Sequence, residues 1–199
     1  NVSFEVKKGE VFGIIGLNGA GKSTLLKIVS GILKPTSGEV ICRGTIAPLI
    51  ELGAGFNGQL SGLENIYLNG LLLGFSKKFI HEKLDEIIAF SELEEFIHMP
   101  LKNYSSGMKA RLGFSIATCV QPDLLIVDEV LAVGDIKFRE KCENRIQSMI
   151  DSGTSVLLVS HSLSQIKKLC KRVLWLDRGK VKAIGETERI IKEYHKTTK

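Results

Sequence analysis

The sequence predicts an α/β protein: a parallel-sheet core with short β elements at its N-terminal end, plus an inserted α-helical subdomain. Three observations predict it. Short apolar runs alternate with helical-period stretches in the first 50 residues and again after Asp123. The stretch from Ser61 to about Val120 is helical in period throughout. A glycine-rich loop stands between the first buried run and the first helix. Strands separated by helices require right-handed crossovers, hence a parallel sheet. Residues 1–60 and 123–199 are therefore assigned to the core, and 61–122 to the helical subdomain.

Taken in order, Val2, Phe4 and Val6 alternate with polar residues, and Lys7-Lys8-Gly9-Glu10 reads as a turn. Together with the apolar run Val11 to Ile15 they predict a hairpin leading into a buried strand. A helix follows from about Lys22 to Ile32, with Leu25, Leu26, Ile28, Val29 and Ile32 as its apolar face. Residues 39–42 and 45–51 read as short strands, and Gly53, Gly55 and Gly58 mark 52–61 as loop. Leu63, Ile66, Tyr67, Leu68, Leu71 and Leu72 belong to one helix, and Phe79, Leu84, Ile87, Ile88 and Phe90 to another. The alternation resumes with strand 124–127, helix 136–150, strand 155–159, helix 162–170 and strand 173–176. A hairpin strand at 180–184 and a helix near 186–195 close the pattern.

Composition is that of an ordinary globular chain: 199 residues, 44% hydrophobic and 25% charged. No apolar stretch approaches the roughly 18 residues that span a bilayer. No charged-then-apolar signal segment opens the chain, so a soluble or peripheral protein is expected, one that forms no pore alone. The chain begins at Asn1 within a strand-like pattern, and upstream residues are expected. Cys42, Cys119, Cys142 and Cys170 show no metal or disulfide spacing and read as scattered reduced thiols. Charge is uneven. Residues 1–136 carry 12 basic and 15 acidic residues, net −3, and residues 137–199 carry 15 and 7, net +8. The lysines of that last third are interleaved with acids, which reads as a solvated surface before a phosphate-binding one.

Gly16-Leu17-Asn18-Gly19-Ala20-Gly21-Lys22-Ser23 fits G-x-x-x-x-G-K-[ST], with Thr24 next in line. The glycines let the backbone curl until successive N–H groups point at phosphate. Lys22 can reach the β- and γ-phosphates, the Ser23 hydroxyl can bind Mg²⁺, and the helix adds its positive N-terminal end. The chain thus reads as a P-loop NTPase, with residues 16–24 as the ATP-binding set. A second element, Leu124 to Val127, is an apolar strand ending in Asp128-Glu129. If this strand lies beside the P-loop strand, Asp128 falls near the Mg²⁺ and its water shell. Glu129 can then orient and deprotonate an attacking water. A lone Asp-Glu after an apolar run is common; its pairing with the P-loop gives it weight.

Tyr104-Ser105-Ser106-Gly107-Met108, followed by Lys109-Ala110-Arg111, resembles the L-S-G-G-Q signature of the ATP-binding cassette (ABC) family, and the resemblance runs over nearly the whole chain. It implies a RecA-like core and a head-to-tail dimer in which Ser105, Ser106 and Gly107 hold the γ-phosphate of ATP bound to the other copy. Hydroxyl and amide groups at a helix start suit that task. Ala132-Val133-Gly134-Asp135 resembles the loop that follows the catalytic base and packs across the dimer. Ser160-His161-Ser162 resembles the switch segment whose histidine touches the γ-phosphate. Lys22, Glu129 and His161 are the catalytic candidates by that likeness, and Ser23 and Asp128 the Mg²⁺ ligands. Three departures stand out. Glu51 or Leu52 occupies the place of the family's Mg²⁺-sensing glutamine, and Met108 replaces the signature glutamine. The family's adenine-stacking aromatic normally precedes the segment that begins at Asn1 and is expected upstream or to be absent; Phe4 and Phe12 are candidates only by default and read first as core.

Within the family, Glu51-Leu52-Gly53-Ala54-Gly55-Phe56, Leu63-Glu64-Asn65-Ile66 and residues 127–135 are similar to exporters of lipid-linked polysaccharide: O-antigen, teichoic acid or capsule. The resemblance implies an ATPase peripheral to the cytoplasmic face of the plasma (inner) membrane, driving a separate transmembrane permease. Residues 52–60 and the helical insert would transmit the motion. No nucleic-acid partner is expected. The alternative, a soluble ABC ATPase acting on nucleic acid or ribosomes, draws support only from the basic C-terminal third; such proteins usually carry two cassettes or a coiled-coil insert. Phosphorylation of a small molecule conflicts with the signature segment.

Overall fold

The computed structural model describes residues 2–50, 52–128, 134–160 and 162–197. It divides into two compact units, Asn1–Ile50 with Pro122–Val130 and Gln147–Lys199, and Glu51–Gln121 with Leu131–Ile146. The helical unit therefore takes in residues 51–60 and 131–146 beyond the 61–122 read from sequence. The reason is local bonding: residues 54–60 hydrogen-bond to the first helix of that unit, and Asp135 and Lys141 pair with its other helices.

The first unit is built on one six-stranded sheet. Its strands are β1 (Val11–Ile15), β2 (Ile46–Pro48), β3 (Leu124–Val127), β4 (Ser155–Val159), β5 (Arg172–Asp177) and β6 (Lys180–Glu186), in the order β2-β3-β4-β1-β5-β6. All pairings are parallel except the β5–β6 hairpin. The continuous apolar runs in the central strands follow from this, because every residue of β4 and the last four of β1 are buried. Phe12, Ile14, Leu26, Ile126, Leu157, Val159, Leu174 and Leu176 form its core. Helix α1 (Lys22–Val29) belongs to this unit. It stops before the expected Ile32, because Ser30 caps it and Gly31 follows at φ 79°, the left-handed conformation that ends helices.

Two expected strands do not form. Val2, Phe4 and Val6 are half-buried against the sheet core, and Phe4 stacks on Phe12 at 5.6 Å, yet residues 2–6 make no strand pairing. The alternation in this segment reflects side-chain packing without a ladder. Residues 39–42 are exposed and join no strand, and β propensity has no effect where no neighbouring strand accepts the backbone. β2 is shorter than the expected 45–51, and Asp123 anchors its start by accepting from the N–H (2.8 Å) and hydroxyl (3.0 Å) of Thr45.

The second unit contains α2 (Gly62–Leu72), α3 (Lys77–Ser91) and α4 (Ser106–Ala117), with two 3₁₀ turns, Glu94–Phe96 and Leu101–Asn103, between α3 and α4. Serine starts each helix. Ser61 forms a capping box with Glu64, and Ser76 and Ser105 accept from Phe79 N–H and Met108 N–H. Its core is Ile66, Ile80, Ile87, Leu93, Ile97, Leu101, Tyr104, Leu112 and Ile116. Helix α5 (Ile136–Asp151) begins in this unit and ends in the first, where α6 (Leu163–Leu169) and α7 (Thr187–Thr197) complete the chain.

Candidate active site

The chain leaves β1 at Gly16 and enters α1 at Lys22, so the expected phosphate loop spans the carboxyl end of the central strand and a helix N-terminus, where parallel sheets place ligands. A Cβ at Gly16 would sit 2.3 Å from Leu176 O, which admits only glycine there. Gly19 and Gly21 hold positive φ of 77° and 102°, and Gly21 caps α1 without a side-chain hydrogen bond. The N–H groups of the first turn are thus left uncovered by any capping side chain, as anion binding requires. Lys22 is 7% exposed and curls under the loop, its Nζ donating to Gly16 O (2.8 Å) and Leu17 O (3.1 Å). Leu17, Asn18, Gly19, Ser23 and Thr24 face solvent, while Ala20 is buried. The β5–β6 turn supports the loop from behind, with Gly179 N–H donating to Ala20 O at 2.9 Å. The sequence signal for this turn is Arg178-Gly179 between two strand-like runs, which does not reveal its contact with the phosphate loop.

Asp128 follows β3, but β3 is not beside β1. β4 lies between them, so Asp128 is two strand spacings, about 10 Å, across the sheet from the phosphate loop. The expectation of direct adjacency is corrected, and sequence order carries no information on an inserted strand. The end of β4 fills the gap with Ser160, whose hydroxyl donates to Gln165 Oε1 (2.8 Å) and accepts from Ser162 N–H (3.1 Å). Gly16, Ser160 and Asp128 thus line one edge of the sheet. Glu129 and His161, like Glu51, Ala132 and Val133, lie outside the described residues.

In the helical unit, Ser105 and Ser106 are exposed at the start of α4, and a Cβ at Gly107 would meet nothing closer than Ser105 Oγ at 3.8 Å. The Ser105 and Ser106 hydroxyls are exposed there, while the Met108 N–H is taken by the Ser105 cap. Met108 turns toward the helical core. The segment borders a concavity of about 640 Å³ lined also by Glu92, Phe96, Arg111, Gly134 and Asp135. Arg111 bridges two carboxylates, Glu92 (2.9 Å) and Asp135 (2.7 Å), and lies 4.6 Å from the Phe138 ring centre. The N–H of Phe138 and the Arg111 guanidinium hold the Asp135 carboxyl below its ordinary pKa. Lys141, with Arg111, does the same for Glu92. In the sequence Arg111 stands out only as the last residue of the signature segment.

The family profile described as ABC transporter matches residues 1–132. This chain belongs to the ABC transporter family. It is 50% identical over 194 residues to the O-antigen export system ATP-binding protein RfbB of Klebsiella pneumoniae, covering 98% of this chain and 79% of that one. It is also 50% identical over 198 residues to the teichoic acids export ATP-binding protein TagH of Levilactobacillus brevis, covering all of this chain but only 55% of that protein. Among solved structures, an ATP-binding subunit of an ABC transporter superposes with a TM-score of 0.82 at 26% identity, over 98% of this chain and 86% of that one. A post-hydrolysis dimer of an ATP-binding cassette with ADP and Pi shares the fold, with a TM-score of 0.76 at 24% identity, over 94% and 89% of the two chains. The donor set here suits a nucleoside triphosphate: glycine amides, an uncapped helix start and the Lys22 side chain. The Ser23 hydroxyl and Asp128 carboxylate are hard oxygen donors of the kind Mg²⁺ prefers.

Proposed function

We propose that this chain is the ATP-hydrolysing subunit of an exporter for lipid-linked polysaccharide, such as O-antigen, teichoic acid or capsule. The observation that carries the reading is the 50% identity, over 98% of the chain, to an O-antigen export ATP-binding protein. In this reading two copies close head to tail on two ATP molecules. The loop amides and Lys22 hold the phosphates of one nucleotide, and Ser105, Ser106 and Gly107 of the other copy meet its γ-phosphate. Ser23 and Asp128 would hold Mg²⁺, which neutralises charge on the phosphate oxygens. Glu129 takes the proton of the attacking water, and His161 contacts the γ-phosphate. Binding ATP more tightly in the closed state is what does mechanical work.

The partner in this reading is a separate transmembrane permease, with the chain peripheral on the cytoplasmic face of the inner membrane. Among the described residues no helix is long and apolar enough to cross a membrane. Leu71 and Leu72, 51% and 65% exposed at the end of α2 beside Gly55, offer apolar surface to such a partner. The test is phosphate release by the purified protein. Hydrolysis should require Mg²⁺ and stop with a chelator, and Glu129→Gln should slow it roughly 10²–10⁴-fold with ATP binding intact. Hydrolysis within a fewfold of normal in that variant would remove Glu129 as the base.

A further inference from the structure

Asn65 is an amide with no solvent exposure in the middle of the helical unit. Its Oδ1 accepts from Asn57 N–H at 2.7 Å, and its Nδ2 donates to Asn57 O (2.9 Å), Leu60 O (3.1 Å) and Ser61 O (2.8 Å). The side chain thus engages both backbone groups of Asn57, as a strand neighbour would. One turn further along α2, on the same face, Asn69 Nδ2 donates to Ala54 O at 2.7 Å. Buried amides with satisfied donors and acceptors fix one arrangement of the groups they join. From this loop the bonding continues in one direction. Lys102 N–H donates to Gly58 O (2.8 Å), Leu101 N–H to Leu60 O (2.9 Å) and Gly62 N–H to Met99 O (3.2 Å). Residues 99–102 then run through the 3₁₀ turn Leu101–Asn103 into Tyr104. The Tyr104 hydroxyl donates to Phe96 O (2.7 Å) and lies where a Cβ on Gly62 would need to be. Ser105, the cap of α4, is next.

We propose that Asn65 is a positioning residue that makes the glycine-rich loop 53–60 and the signature residues Ser105–Gly107 one rigid body. A displacement of the loop by a membrane partner then moves the γ-phosphate-binding end of α4 as a unit. This rests on the functional reading above. The backbone bonds between 58–60 and 101–102 join the loop to the signature segment. The Asn65 amide holds the loop in the shape that aligns them.

The test uses the full-length protein assembled with its permease, in a Cys42→Ser background that removes the exposed native thiol. Asn65→Ala should lower permease-stimulated ATP hydrolysis at least tenfold. ATP affinity and the basal rate of the detached subunit should stay within about threefold. A Cβ at Gly58 would lie 3.7 Å from Lys102 Cβ, close to the roughly 3.8 Å found across disulfides. Adding Gly58→Cys and Lys102→Cys to Asn65→Ala should restore stimulation when oxidised and lose it again with reductant. This reversible rescue also separates positioning from simple loss of stability. Undiminished stimulation in Asn65→Ala would overturn the proposal. So would a fall in basal and stimulated rates together that the disulfide fails to repair. Absence of any ATP hydrolysis by the unsubstituted complex would instead overturn the functional reading, and the proposal with it.

Discussion

Replacing Lys22 with methionine keeps the length of the side chain and removes its charge. The ammonium is buried and donates to Gly16 O and Leu17 O. Losing those donors costs about 1 kcal/mol net, since the carbonyls lose a partner while a buried charge is relieved. For a chain of this size that lowers Tm by roughly 2–4 °C. The larger effect appears with ATP. A charge-assisted hydrogen bond to phosphate contributes about 1.5–3 kcal/mol, so affinity should fall roughly 10- to 150-fold. At ATP a hundredfold above the wild-type Kd, binding stabilises the wild-type protein by about 2.7 kcal/mol, a rise of roughly 5–11 °C. With affinity a hundredfold weaker, the same ATP contributes about 0.4 kcal/mol, a shift of roughly 1–2 °C. Thermal melts of both proteins with and without Mg-ATP measure this directly. A Lys22→Met protein whose ATP-induced shift equals that of wild type would refute the assignment of residues 16–23 as the phosphate cradle.

Gly113→Ala should destabilise the protein by about 1–3 kcal/mol, because the new Cβ would lie 2.7 Å from Gly53 N and 3.1 Å from Leu52 C, both backbone atoms; an unchanged denaturation midpoint would contradict that close approach. Asp135 and Glu92 have lowered pKa values, so their pairing with Arg111 stabilises the fold above the ordinary carboxylate range and is lost as pH falls through the folded values. The stability difference between wild type and Arg111→Met should accordingly be present at pH 7 and shrink below about pH 4 in pH-dependent melts. Burial raises the thiol of Cys119 to about 11 and those of Cys142 and Cys170 to about 12, while Cys42 is exposed. Alkylation of the native protein at pH 8 should therefore modify one thiol, and four after denaturation, as counted by mass spectrometry.

The parts of the fold legible in the sequence were those whose signal is local. β3 and β4 fall on the expected 124–127 and 155–159, because β-branched and leucine runs flanked by polar residues leave little choice of boundary. The phosphate loop was legible because its glycines answer to backbone geometry that no other residue supplies. What failed depended on partners distant in sequence. Val2, Phe4 and Val6 carry strand periodicity but pack without pairing, and Val40 and Ile41 have strand propensity but remain exposed. The insertion of β4 between β1 and β3 is a matter of topology that neither strand's residues encode. In the sequence Asn65 stands out only within the segment Leu63-Glu64-Asn65-Ile66, and its burial against the 57–61 backbone is what reveals its bonding. Arg111 is similar, since its two carboxylate partners lie 19 and 24 residues away in opposite directions along the chain.

Affinity purification from detergent-solubilised native membranes asks whether this ATPase drives a separate permease. With the tagged protein as bait and mass spectrometry as readout, a polytopic membrane protein that lacks an ATPase domain of its own is expected in the eluate. Neighbouring glycan-assembly enzymes in the eluate would identify the cargo. Recovery from the soluble fraction alone, bound to ribosomes or nucleic acid, would contradict the exporter reading and leave the chain as an ABC ATPase of another kind.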